Sequence, residues 1–167
     1  LACPNLSLSV APGEQGIVAV AVKDEGAELY VLRDMRLIGV AKVSEATAPG
    51  AIRLSESVEA AHTSHSGSLQ VTEIMGISTP STRLDSQAKY VVVAAGDAEI
   101  YMRLPSEGRY VENIWDHAAG MLLVQEAGGT VTDIAGNDLA FKHGYLLSGN
   151  RGVLVSNGDR KSTRLNS

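Results

Sequence analysis

Residues 115–129 read WDHAAGMLLVQEAGG, an apolar run at helical spacing that stops on two glycines and opens with an acid between an indole and an imidazole. The run predicts an amphipathic helix. Gly128 and Gly129 suit its end, because glycine tolerates the backbone that turns a helix into a following strand. Asp116 reads first as a helix cap, where a carboxylate satisfies free N–H groups and meets the positive end of the dipole. The same acid could hold a metal. Ala118, Ala119 and Gly120 leave the first turn nearly bare, which costs helix propensity at Gly120 and suits a ligand that approaches the backbone closely.

Outward from this helix the chain alternates. GTVTDI (129–134) is expected as a strand, AGND (135–138) as a turn, LAF (139–141) as a short return and GVLVSN (152–157) as a last apolar strand. Upstream, AEIYMRLP (98–105) reads as a strand, SQAKYVVVAAG (86–96) as a helix ending on glycine, and TRL (82–84) as a short strand. Residues 55–76 look helical in places, with Leu69, Ile74 and Met75 as apolar anchors. Pro49-Gly50 marks a turn. GIVAVAVK (16–23) and AELYVLRD (27–34) predict a hairpin, and RLIGVAKV (36–43) a third strand. The pattern predicts an α/β domain, a layered sandwich of sheets and helices, over residues 1–159. RKSTRLNS (160–167) is polar and patternless and is set aside as a disordered or non-native tail. The chain opens on Leu1, and LACPNLSLSV already reads as a strand entering a turn, so a longer parent protein is expected.

The 167 residues are 44% hydrophobic and 20% charged, ordinary for one soluble domain. The net charge is −5, and no cluster of Lys and Arg is present to neutralise a nucleic-acid backbone. A small anionic ligand remains open. Cys3 is the single cysteine; it forms no internal disulfide and points to a reducing compartment, the cytoplasm. No run reaches the roughly 18 to 20 apolar residues of a membrane span, so no membrane partner is expected.

Two further stretches could carry chemistry. In LDSQAKY (84–90), Asp85 suits an N-cap, which would set Ser86 and Lys89 three apart in a first turn. A lysine there opposes the helix dipole, unless an anion sits at the helix start and takes a hydrogen bond from Ser86 and a charge from Lys89. The alternative is that Lys89 reaches into water. In HTSH (62–65), His62 and His65 could share a metal, but no further ligand stands at suitable spacing, so zinc is not expected. A histidine contacting a phosphate or a base fits better. Arg103, at a strand end, could fork onto a phosphate or lie on the surface. A carboxylate, a lysine, an arginine, a histidine and a serine near element ends make the inventory for a small phosphorylated ligand with a divalent ion.

With these residues in view, WDHAAGMLLVQEAGGTVTD resembles the C-terminal signature of the inositol monophosphatase-like superfamily of magnesium-dependent phosphatases. CPNL, ESVEAAHTSH, LDSQAKY and IYMRLP are similar to its 3′(2′),5′-bisphosphate nucleotidase branch, and the likeness runs in order from Leu1 to Asn157. The resemblance implies the C-terminal half of that phosphatase fold. It also implies hydrolysis of the 3′-phosphate of adenosine 3′,5′-bisphosphate to AMP, with the sulfated nucleotide as a further substrate. It makes Asp116 a Mg2+ ligand that faces the substrate, and makes His62, Ser86, Lys89 and Arg103 nucleotide contacts; it gives His65 no role. The superfamily's upstream acids, a paired-acid segment and a D-P-I/L-D-G-S/T motif, are absent from this chain. The chain alone is therefore expected to be inactive, with the N-terminal half of its own protein as partner. An inositol phosphate phosphatase and a non-catalytic nucleotide-binding module are the alternatives.

Overall fold

A computed structural model describes residues 1–58, 65–105 and 111–158, without the side chains of His65 and Ser66. The 160–167 tail lies outside the described residues. Two sheets enclose a pair of helices. In the first sheet, strands β1 (Ala2–Cys3), β2 (Ile17–Val22), β3 (Gly26–Val31) and β4 (Leu37–Val40) lie antiparallel in chain order. The expected hairpin is there, with Ile17 opposite Val31 and Val22 opposite Gly26. Ile17, Ala19, Ala27, Leu29 and Val31 are buried, while Val20 and Val22 point outward, the period-2 alternation of a strand with one covered face.

The second sheet has the order β6-β5-β7-β9-β8, built from β5 (Leu54–Ser57), β6 (Thr82–Leu84), β7 (Ile100–Arg103), β8 (Thr130–Thr132) and β9 (Val153–Ser156). Strands β5, β6 and β7 run parallel, and β9 is antiparallel to both β7 and β8. Helices α2 (Ala88–Ala94) and α3 (Ala118–Glu126) pack on each other between the sheets, α3 against β2, β3 and β8, α2 against β5, β7 and β9. All seven residues of α2 are buried, which explains why YVVVA is apolar all round rather than striped. This sandwich is the expected layered α/β architecture.

Helix α1 (His65–Ile74) belongs to the far side of the second sheet, where Val71 packs on the cluster of Ile52, Leu54, Ile100 and Met102. The segment is helical in places, as expected, over α1, although it opens with the buried strand β5. The expected anchors fail: Leu69, Ile74 and Met75 are exposed, because α1 turns Val71 and Ser68 to the protein instead. The LAF return is not a strand either: Ala140 donates its N–H to the Asn150 side chain, not to a ladder.

The EAGG stop is built from tertiary contacts. Glu126 accepts the N–H groups of Asp24 (3.0 Å) and Gly26 (2.9 Å), so the end of α3 holds the tip of the β2–β3 hairpin. Gly128 has φ +90°, the left-handed turn expected of it. A Cβ on Gly129 would meet Val124 at 2.6 Å and the Ser156 carbonyl at 2.8 Å, so only glycine lets the helix end this close to β9. Below α2, fully buried Glu99 pairs with Arg53 at 2.6 Å and ties the start of β7 to the residue before β5. Among the described residues no helix is long and apolar enough to cross a membrane.

Candidate functional site

Strand β5 leads through α1 to β6 on one side, and β6 leads through α2 to β7 on the other side of β5. The winding therefore reverses at β5. In open parallel sheets such a reversal opens a crevice at the carboxyl ends of the strands, the usual place for a ligand. Ser86 and Lys89 follow the end of β6, and Arg103 is the last residue of β7. His62 follows β5 in the chain but lies outside the described residues.

Lys89 does not reach into water. It is 4% exposed, its ammonium donates to the Leu84 carbonyl at 3.1 Å, and it stands 5.4 Å from the centre of the Tyr101 ring. Burial, and then the charge of Arg103, push its pKa down to about 8, against the opposing pull of Asp85. The helix begins later than expected, with Gln87 in the N-cap position and no side-chain cap bond, so exposed Asp85 caps nothing. Ser86 precedes the helix in a left-handed conformation (φ +55°) and is exposed. Ser86 and Lys89 are thus neighbours after the end of β6 but not partners in one helical turn.

Arg103 is not a surface residue. Its side chain is 12% exposed, and its Nε lies 2.8 Å from Glu112 Oε1 in an ion pair. It also interacts with the Tyr101 hydroxyl, whose pKa burial raises to about 12. The second Glu112 oxygen lies 3.1 Å from Nε2 of fully buried His117, and His117 Nδ1 lies 2.7 Å from the Tyr90 hydroxyl. A carboxylate only accepts, so Nε2 is the donor to Glu112; with the proton on Nε2 alone, Nδ1 accepts from the Tyr90 hydroxyl. Burial holds the Tyr90 pKa well above its ordinary value and keeps that donor protonated. The rings of Tyr90 and Tyr101 meet edge to face at 5.2 Å and close the circuit.

Asp116 ends a 3-10 turn, Ile114–Asp116, and is half-buried. It does not cap α3: the N-cap position is His117, with no side-chain cap bond. The cap comes from α2, where Gln87 Oε1 accepts the Gly120 N–H at 2.8 Å. The bare first turn serves packing, since a Cβ on Gly120 would fall 2.3 Å from Tyr90 Cγ. Asp116 is left beside the tyrosine pair, and its charge helps to raise the pKa of both hydroxyls.

Among the described residues no three His, Cys, Asp or Glu side chains converge to hold a metal ion. Mg2+ is typically bound through one or two carboxylates, waters and substrate phosphate. Asp116 could supply one ligand; the described residues do not make a metal centre by themselves. Sequence reasoning named His62, Ser86, Lys89, Arg103 and Asp116; it did not name Gln87, Tyr90, Glu112 and His117, which the fold packs against Lys89, Arg103 and the Asp116 turn. The position of His117 beside Asp116 was the one visible signal; the others join the site only through pairings across the fold.

The inositol monophosphatase family model matches residues 4–167. A 3′(2′),5′-bisphosphate nucleotidase of Oryza sativa is 41% identical over 167 residues, covering 94% of this chain and 46% of its own length. One from Schizosaccharomyces pombe is 38% identical over 160 residues, covering 93% of this chain and 45% of its own. The chain thus spans about half the length of the curated relatives it matches. Among solved structures, CysQ from Bacteroides thetaiotaomicron, a bacterial member of the inositol monophosphatase family, shares the fold with a TM-score of 0.64 at 18% identity, over 87% of this chain and 55% of that one.

Proposed function

The chain belongs to the inositol monophosphatase family, and from that premise we propose that it is the C-terminal half of a magnesium-dependent 3′(2′),5′-bisphosphate nucleotidase. The substrate is adenosine 3′,5′-bisphosphate, hydrolysed to AMP and phosphate, with the sulfated nucleotide as a second substrate. The observation that carries this reading is the closeness of two cations, buried Lys89 and half-buried Arg103, at the reversal of a parallel sheet, with the charge of Asp116 acting on the neighbouring Tyr101. The names and identities of the rice and fission-yeast relatives support the branch.

In this reading Lys89 and Arg103 hold the phosphate that is not cleaved, Arg103 through its planar fork and Lys89 as a point charge. His62 and Ser86 complete the nucleotide contacts. Water is largely excluded from both cations by Tyr90, Tyr101 and the sheet, so each is worth more to an anion than on an open surface. Magnesium, when bound, supplies charge neutralisation and an activated water. Asp116 contributes one carboxylate to it, and the upstream half contributes the rest. The isolated chain is inactive.

The test compares phosphate release from adenosine 3′,5′-bisphosphate and from inositol monophosphate by the full-length enzyme, by its Asp116→Asn variant and by this chain alone. The expected result is turnover of the nucleotide by the full-length enzyme only. Preference for inositol monophosphate would move the chain to an inositol phosphate phosphatase. Saturable nucleotide binding without turnover in the full-length protein would make it a binding module. Undiminished turnover by Asp116→Asn would remove the metal assignment.

A further inference from the structure

Glu112 carries no motif and sits on no helix or strand, yet its two oxygens reach two functional segments at once. One pairs with Arg103 Nε at 2.8 Å and the other with His117 Nε2 at 3.1 Å. Its side chain is 12% exposed, equal to that of Arg103, while His117 is fully enclosed. From His117 the contacts continue to the Tyr90 hydroxyl and from Tyr90 to Tyr101, which returns to Arg103. The circuit joins the end of β7, the first turn of α2 and the turn that carries Asp116. Three of its members, Tyr90, Tyr101 and His117, are almost wholly buried.

We infer that Glu112 is a positioning residue for ligand binding: its charge anchors the Arg103 guanidinium and, through His117, it holds the Asp116 turn beside that anchor. This rests on the proposed function, in which Arg103 meets the retained phosphate. A guanidinium on a flexible stem must be held in place before it can grip a phosphate with two donors. A carboxylate ion-paired at its Nε contributes to this without reaching the substrate. Loss of Glu112 removes the charge that faces Arg103 Nε, and His117 loses the partner of its Nε2. The Asp116 turn follows, because His117 is the residue next to it.

The neutral Glu112→Gln side chain has the same shape but no charge, so the ion pair with Arg103 is lost while the amide oxygen can still accept from His117. In the full-length enzyme, Glu112→Gln is expected to raise KM for adenosine 3′,5′-bisphosphate by about tenfold or more, the scale of one lost contact to a charged group. The fall in kcat should be smaller. Glu112→Asp, which keeps the charge on a shorter stem, should recover part of the KM. In an Arg103→Ala background, Glu112→Gln should add little to the KM that Arg103→Ala already imposes. A purely structural role would lower the melting temperature and the active fraction at unchanged KM, and that result overturns the inference. So does a KM rise of equal size with and without Arg103. If Arg103→Ala leaves KM unaltered, the reading of Arg103 itself fails and the inference falls with it, an outcome distinct from the other two.

Discussion

Gln87 Oε1 accepts the Gly120 N–H at 2.8 Å while its amide nitrogen donates to the Trp115 carbonyl at 2.9 Å. One side chain on the edge of α2 thus clamps both ends of the turn that carries Asp116 and His117. Gln87→Ala leaves an N–H at the start of α3 without its acceptor. Stability should fall by about 1 kcal/mol, the usual cost of a lost cap. In urea unfolding this appears as a lower midpoint at constant slope. An unmoved midpoint would mean that water takes the place of the amide.

Gly120 lies under the Tyr90 ring, with room for no methyl group. In an open helix Gly120→Ala would gain about 1 kcal/mol of propensity. Here the ring must move and strain its bond to His117, and overpacking costs about 1–3 kcal/mol. The melting temperature should drop. A rise would show that Tyr90 can shift without cost.

Lys89 gives the site a pH dependence above neutrality. Its folded pKa, about 8, lies below the ordinary value of 10.5, so the fold disfavours the charged amine. Stability therefore carries a cost below pH 8 that is relieved as the pH rises from about 8 towards 10.5, where the unfolded chain binds the extra proton. Anion binding has the opposite sense, since it needs the ammonium. Affinity for adenosine 3′,5′-bisphosphate should weaken as the pH rises through 8, and Lys89→Met should lose both the affinity and that dependence. Calorimetric titration at pH 7 and pH 9 on both proteins checks it. A wild-type affinity equal at the two values removes Lys89 from the anion contacts.

Glu99 governs part of the acid limb of stability. Burial opposes its ionisation, but hydrogen bonds from Arg53 outweigh burial and hold its pKa below 4.5. The stabilisation is present above 4.5 and is lost as the pH falls through the lower folded value. Glu99→Gln should cost about 1–3 kcal/mol at pH 7, discounted because Arg53 is partly solvated. The gap from wild type should narrow below pH 4 in denaturant melts. A gap independent of pH would assign the loss to packing alone.

Much of the layered fold was legible because its determinants are local. The β2–β3 hairpin followed from alternation around DEGA, and the break after α3 followed from Gly128 and Gly129. Strand β5 was not legible. LSES has no apolar alternation, and it is buried only because sheet neighbours flank it on both sides and α2 lies over it. Leu69 and Ile74 misled for the converse reason: their type says buried, and the orientation of α1 says exposed.

The sequence by itself determined the kinds of groups at the site and their order, because an acid after a tryptophan or a lysine after a short strand is fixed by the chain. Only the tertiary structure decided their partners. The cap of α3 comes from 33 residues upstream, through Gln87, and frees Asp116. Lys89 owes its lowered pKa to burial and to Arg103, at the end of strand β7. Glu112 gains its place only where β7 and the turn before α3 meet. Composition can name a charge, but its strength depends on the water removed around it and on the charge that faces it, and both are set by packing.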